Sequence, residues 1–357
     1  MVNIINQFES EVVSFIKSYA DESALLIAVS CGADSMALLA SLRASDKRPL
    51  FCVHVEHGLR SALESRGDAD FVRDFCKSNE IECRVIHIPP GRIEQFAKSK
   101  GIGIEAAARF FRHRSLLREA KHLEKNGQKT FILLAHTKDD LLETALMRIL
   151  RGAGPAGLRA MPEKRGRLLR PLMTAARADV IGYLNAKNIP WREDSTNTDD
   201  KFLRNRIRRR LIPLLNESFP EWKKGITGMA ETQSLVTDFI TNETTKRIVW
   251  TINAKPQSNV MKSNNSSVFI STDEENFFMQ PEIIREEAIF QGIDIILSGI
   301  KYMSKSAKRS VIRQFCSGAL KAADLGLVRI NRGKGKILLS GTQKEFFESG
   351  VSQLIKE

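Results

Sequence analysis

Residues 25–42 read LLIAVSCGADSMALLASL, and the fold turns on this stretch. Leu25 to Val29 form an apolar run too short for a helix, which predicts an interior strand. Met36, Leu38, Leu39 and Leu42 then recur at helical spacing. Between them, Ser30-Cys31-Gly32-Ala33-Asp34-Ser35 reads as a strand-to-helix turn. Such a turn aims backbone N–H groups at one point, at the positive end of the following helix, where an anion is favoured.

The same alternation recurs through the first half of the chain. Apolar runs at 25–30, 50–55, 83–88 and 130–135 are each followed by a helical pattern, at 35–43, 63–78, 104–124 and 139–150. Continuously apolar strands alternating with helices predict an α/β fold with a parallel sheet covered on both faces. Ligands of such sheets bind at the carboxyl ends of the strands, so the loops 30–35, 54–60 and 136–143 are expected to converge. After Arg151 a Gly/Pro-rich loop leads to a short strand at RLLRPLM and a helix over 175–187. From about residue 218 the pattern is helical, with a polar stretch at 253–267 and a basic hairpin around Gly333 and Gly335.

The chain has 357 residues, with 55 Lys+Arg against 42 Asp+Glu, a net charge of +13. That imbalance points to a polyanionic partner, nucleic acid first and an anionic membrane surface second. No apolar run is long enough to span a bilayer and the N-terminus carries no basic leader, so an intracellular enzyme is expected. Cys31, Cys52, Cys76, Cys83 and Cys316 are odd in number and contain no C-x-x-C pair, so their spacing suggests neither a disulfide framework nor a zinc site.

Four segments can carry chemistry. In Ser30–Ser35 a Walker-type lysine is absent and Asp34 stands in its place. Either Ser30, Gly32 and Ser35 hold a pyrophosphate with Asp34 on Mg²⁺, or Asp34 or Ser30 merely caps a helix. In EAAARFFRHR, Glu105, Arg109, Arg112 and His113 share a helix face, as a salt-bridged surface or as a phosphate grip. In AHTKDDLLETALMRILRG, Asp139, Asp140 and Glu143 lie near a helix start, where they suit the dipole, Mg²⁺ or an ammonium group. His136 stands at the strand end, placed to bind or to transfer a proton. Six basic residues between Lys201 and Arg210 read as a phosphate-backbone contact, with Glu193, Asp194, Asp199 and Asp200 before them to orient the arginines.

The motifs SCGADS, HVEHGLR, EAAARFFRHR, AHTKDDLLETALMRILRG, RPL at 170–172 and WREDSTNTDDKFLRNRIRRRLIP occur in an order that closely resembles the tRNA(Ile)-lysidine synthases, a branch of the PP-loop ATP pyrophosphatases. The resemblance covers about residues 20–215. It implies a Rossmann-like parallel sheet of the PP-loop ATPase type, followed by a mainly helical C-terminal region. Residues 1–215 would form the catalytic domain and 216–357 a tRNA-binding domain. The implied reaction adenylates the wobble cytidine of a CAU-anticodon isoleucine tRNA with ATP and Mg²⁺. Free L-lysine then attacks carbon 2 of the base, giving lysidine, AMP and pyrophosphate.

The resemblance also implies residue roles. Ser30, Cys31, Gly32, Ala33, Asp34 and Ser35 would bind ATP, with Asp34 on the metal. Arg109 and Arg112 would handle the adenylate or phosphates. Asp140 and Glu143 would hold lysine or metal, and His136 would accept the proton of the nucleophilic amine. Arg60, Arg204, Arg206, Arg208 and Arg209 would contact tRNA. The setting would be cytoplasmic, without a membrane, and the resemblance favours a homodimer. Three departures accompany it. Cys31 replaces the first glycine of the family's Ser-Gly-Gly-x-Asp-Ser pattern, where a side chain crowds the phosphates or meets a φ that cysteine disfavours. Glu56 and His113 replace a common Asp and a common Tyr. A tRNA thiolase, an amidotransferase-type synthetase and a non-enzymatic RNA- or nucleotide-binding module are the rival readings.

Overall fold

The computed structural model describes residues 2–20, 22–59, 62–124, 129–193, 203–253, 267–296, 309–325 and 328–342. They fall into two compact units. One joins Met1–Met147 to Met161–Thr227, and the other joins Arg148–Ala160 to Gly228–Glu357. The first unit thus runs past the expected boundary at residue 215.

The chain begins α1 (Val2–Ala20), β1 (Ala24–Ala28), α2 (Ala33–Ser45), β2 (Leu50–Glu56), α3 (Ala62–Ser78), β3 (Glu82–His87), α4 (Arg92–Lys100), α5 (Ile104–Leu123), β4 (Thr130–Leu133) and α6 (Lys138–Leu150). It continues through α7 (Pro155–Leu158), β5 (Lys164–Arg165), β6 (Leu168–Leu169), α8 (Arg177–Ala186) and α9 (Leu203–Arg206). A π-helical turn at Ile207–Leu211 then leads to α10 (Ile212–Ser218) and α11 (Trp222–Arg247).

The sheet of the first unit has the order β3-β2-β1-β4-β6-β5. Its pairings are parallel except at the β5 edge. Alternation along β1 builds two layers, because successive side chains of a strand face opposite sides. Leu25 and Ile27 join Val12 and Ile16 of α1, Met36 and Leu39 of α2, Val72 of α3 and Tyr183 of α8. Leu26 faces the other way and packs with Val53, Ile132 and Leu116 of α5. Strand order reverses between β1 and β4, so the loops after these two strands flank the topological switch point, where open α/β sheets bind ligands.

In the second unit, β7 (Thr251–Asn253), β8 (Ser267–Asp273), β9 (Ala322–Asp324), β10 (Val328–Gly333) and β11 (Lys336–Thr342) form an antiparallel sheet ordered β7-β8-β11-β10-β9. With it are α12 (Glu274–Met279), α13 (Glu282–Ile296) and α14 (Arg309–Cys316). Ile289 and Ile293 of α13 and Phe315 of α14 share a core with Ile330 of β10 and Leu339 of β11. The expected basic hairpin is β10–β11. Gly333 pairs with Lys336 across a two-residue turn, with Lys334 at φ 54° and Gly335 at φ 69°. Positive φ at both central residues matches the right-handed strand twist. The sequence reading found the helical character of this region but only this one hairpin of its sheet.

Candidate active site

The Ser30–Ser35 loop follows β1 and is closed by its own hydroxyls. The Ser30 backbone N–H donates to Ser35 Oγ (3.1 Å), and that hydroxyl donates to the Gly32 carbonyl oxygen (2.9 Å). Helix α2 starts at Ala33 with Gly32 as its N-cap, and Asp34 lies in its first turn. Cys31 has φ 60°, in the left-handed region that glycine occupies without strain. Its side chain is 4% exposed and belongs to the core shared with α2, and its carbonyl oxygen accepts from the Arg192 N–H (3.0 Å). The departure at Cys31 therefore appears as backbone strain rather than as crowding over the loop, because the thiol turns into the core.

Asp34 pairs with Arg177 at the start of α8, Nη1 to Oδ1 at 2.6 Å. Burial raises its carboxyl pKa against the pull of that guanidinium, and the charge of Asp140 raises it further. The Arg177 backbone N–H donates to Asp139 Oδ2 (2.7 Å), tying α8 to the start of α6. Nothing in the spacing of the sequence marked Arg177, because it comes to Asp34 only through the packing of α8 beside α2.

Asp140 and Glu143 form the acidic rim of α6. Asp140 Oδ2 accepts from the Thr137 backbone N–H (2.9 Å), as an N-terminal cap does, and Oδ1 pairs with Arg204. Glu143 is 2% exposed. Its carboxylate takes Arg204 Nε at 2.7 Å and both Nε and Nη2 of Arg208, the latter at 3.0 Å. A desolvated carboxylate requires opposite charge, and two guanidinium groups supply it. Arg204 and Arg208, expected on tRNA phosphates, are ion-paired to these carboxylates, with Arg208 still exposed. Asp140 and Glu143, expected on lysine or metal, hold these cations instead. Arg206 and Arg209 are exposed on the same segment. Arg60, Asp194, Asp199 and Asp200 lie outside the described residues, and Glu193 is exposed.

Beside this rim stands a cationic cluster. Arg109, Arg112 and His113 come from α5, His136 from the loop after β4, and Arg170 from just past β6. Burial, then the charges of Arg170, Arg109, Arg112 and Arg204, push His136 down to about 3. His113 falls to about 3 for the same two reasons, burial first and then Arg109 and Arg112. Arg112 and Arg170 are each lowered to about 10, by burial and then by Arg109. His136 Nδ1, His113 Nε2, Arg112 Nε and Arg170 Nε are buried without a hydrogen-bond partner. Buried donors and repelling cations are costly to assemble, and a bound anion relieves both. His136, expected as a base, is a neutral and weakly basic imidazole in this surrounding. His54, at the end of β2, is buried, with Nδ1 donating to the Val29 carbonyl oxygen (2.9 Å).

A doubly wound α/β domain whose switch-point loops carry a cationic cluster and an acidic rim fits a nucleotide-binding class. Residues 4–215 match the PP-loop domain family, and the chain belongs to that family of ATP-binding domains. The chain is 37% identical over 256 residues to the tRNA(Ile)-lysidine synthase of Treponema denticola, covering 70% of this chain and 55% of that protein. It is 40% identical over 209 residues to that of Treponema pallidum, covering 57% and 43%. It is 30% identical over 253 residues to that of Bacillus subtilis, covering 69% and 52%. The chain thus spans about half the length of these curated relatives. Among solved structures, a U34-tRNA thiolase from Methanococcus maripaludis with its 4Fe-4S cluster aligns at TM-score 0.50 and 15% identity, over 65% of this chain and 80% of that one. That likeness is one of fold. No helix among the described residues is long and apolar enough to cross a membrane.

Proposed function

We propose that this chain is a tRNA(Ile)-lysidine synthase, ligating lysine to carbon 2 of the wobble cytidine in a CAU-anticodon isoleucine tRNA. The observation that carries the reading is the cationic cluster of Arg109, Arg112, His113, His136 and Arg170, four of which hold a buried nitrogen without a hydrogen-bond partner, set beside the acidic rim of Asp34, Asp140 and Glu143. An adenylating enzyme that then uses an amine needs both an anion pocket and a cation rim. A purely RNA-binding module needs only the first. The named relatives supply the substrate, and the net charge of +13 suits tRNA as the partner.

The roles follow from the geometry. The loop Ser30–Ser35 and the start of α2 face the ATP phosphates. Asp34, with its carboxyl pKa raised by burial and by Asp140, is eased by a divalent cation, and its hard oxygen ligands suit Mg²⁺. Bound there, Mg²⁺ offsets phosphate charge during adenylation. Arg109 and Arg112 steady the negative charge that develops as the base oxygen attacks the α-phosphate and pyrophosphate leaves. Asp140 and Glu143 take the lysine ammonium where Arg204 and Arg208 now sit. The attacking amine must be neutral, and His136 is the nearest imidazole to receive its proton. Bound phosphate neutralises the guanidiniums that depress His136 and restores its basicity. Arg206 and Arg209 contact the tRNA backbone, and the reaction belongs to the cytoplasm, where a homodimer is the proposed form.

The test is nucleoside mass spectrometry of isoleucine CAU-anticodon tRNA after incubation with the protein, ATP, Mg²⁺ and isotope-labelled lysine. Labelled lysidine supports the reading. Unmodified cytidine with folded protein overturns it, and release of AMP and pyrophosphate without lysine or tRNA points to a small-molecule synthetase.

A further inference from the structure

Three cysteines from β2, α3 and β3 meet in the first unit. Cys52 of β2 and Cys83 of β3 are direct register partners across the parallel pair, and Cys76 of α3 lies over them. The three Sγ atoms all lie within 4.8 Å of one another. Cys52 and Cys76 are fully buried and Cys83 is partly open. None belongs to the proposed active site. From this convergence we propose that Cys52, Cys76 and Cys83 form a three-thiolate site for a single thiophilic divalent cation, zinc in chemical class.

The spacing selects the occupant. One zinc ion holding thiolates at about 2.3 Å sets its sulfurs roughly 3.8 Å apart. The observed triangle reaches that with a contraction of less than about 1 Å. An iron–sulfur cubane binds each cysteine through a different iron and needs a wider triangle. Charge argues the same way. Three thiolates around a divalent ion leave one net negative charge, and Arg73 stands within electrostatic reach of Cys83. A monovalent ion would leave two.

The fourth position falls to water or to His54, two residues beyond Cys52 on the same strand face. Its Nδ1 donates to the Val29 carbonyl oxygen, so Nε2 carries the lone pair, as in metal-bound imidazoles. The site would clamp α3 to β2 and β3 beneath the Ser30–Ser35 loop.

The test uses the full, reduced chain, stripped with a chelator and titrated with Zn²⁺ against a chromophoric competitor, then with Cd²⁺. The expected result is one equivalent bound, a sulfur-to-cadmium charge-transfer band with the intensity of three thiolates, and a zinc-dependent rise in Tm. Cys83→Ser should weaken binding at least about 100-fold and reduce the band. Cys316→Ser should leave both unchanged. Cys83→Val, suited to a strand, serves as a second variant if the serine disturbs folding. Equal zinc affinity and an equal band in wild type and both Cys83 variants, or no bound zinc in the folded wild type, overturns the proposal. Lysidine formation is not the readout, so this test and that of the proposed function fail independently.

Discussion

At Cys31 the chain tolerates a left-handed backbone that costs a non-glycine residue of order 1–3 kcal/mol. Cys31→Gly removes that strain and gives up a small buried thiol, so stability should hold or rise by up to about 1 kcal/mol. Cys31→Val adds a β-branched side chain at the same φ and should lose about 2 kcal/mol or more in denaturant melts. Equal losses in both variants would show that the thiol's packing, not the backbone, dominates. His113 and His136 set a second prediction. Both are lowered from 6.5 to about 3 in the folded chain, chiefly by burial. The unfolded chain therefore binds protons between pH 6.5 and 3 that the native chain refuses. Their contribution is intact above pH 6.5 and is lost as pH falls toward 3, by at most about 1.4 kcal/mol per pH unit for each. The double variant His113→Gln with His136→Gln should flatten the acid limb between pH 6.5 and 4.5 in urea melts. Added pyrophosphate should move the His136 titration upward in NMR spectra, and an unmoved resonance would separate this pocket from phosphate binding.

Helix α9 and the π-helical turn after it work as one element, because they deliver Arg204 and Arg208 to the same carboxylate. A double-mutant cycle between Glu143→Gln and Arg204→Ala should give a coupling of about 1–3 kcal/mol, since the carboxylate is desolvated. If this arginine pair occupies the lysine position, Arg208→Ala should lower the KM for lysine while leaving α6 folded, and an unchanged KM would place lysine elsewhere. The elements themselves were readable to different degrees. The strands β1 and β4 are short apolar runs buried on both faces, which hydropathy shows directly, whereas β3 at the sheet edge keeps exposed polar residues. Helix α4 escaped notice although Gly91 and Gly101 bracket it with φ 76° and 61° and Ile93 and Ala97 form its buried stripe. Its nine residues are too few for a clear helical period. Strands β7, β8 and β9 are short or mix polar residues into their pattern, so their pairing depends on partners far along the chain. The same holds for the site. Asp34, Asp140 and Glu143 announce themselves as acids near helix starts. Arg177 and the cysteine triangle exist only after β2 pairs with β3 and α8 packs against α2.

Across the whole molecule the excess of 55 basic over 42 acidic residues is a statement about partners rather than about fold. Much of that charge is not free to meet a polyanion. Arg204 and Arg208 are held by Asp140 and Glu143, and Arg177 by Asp34. Arg112 and Arg170 hold buried nitrogens beside the exposed Arg109, and under the proposed function these three meet the substrate's reacting end rather than its backbone. Exposed side chains on the same segment, Arg206 and Arg209, are the better candidates for non-specific attraction. Each phosphate contact removed should reduce the slope of log K against log salt by about 0.7–0.9. The variant Arg206→Gln with Arg209→Gln should therefore weaken tRNA binding, lower the salt slope by about 1.5, and leave pyrophosphate binding by the protein unchanged. Filter binding from low to moderate salt gives the slope. A loss of pyrophosphate binding in the same variant would mean that the two arginines belong to the anion pocket after all. An unchanged slope would move the tRNA surface away from this segment and onto other basic residues of the chain.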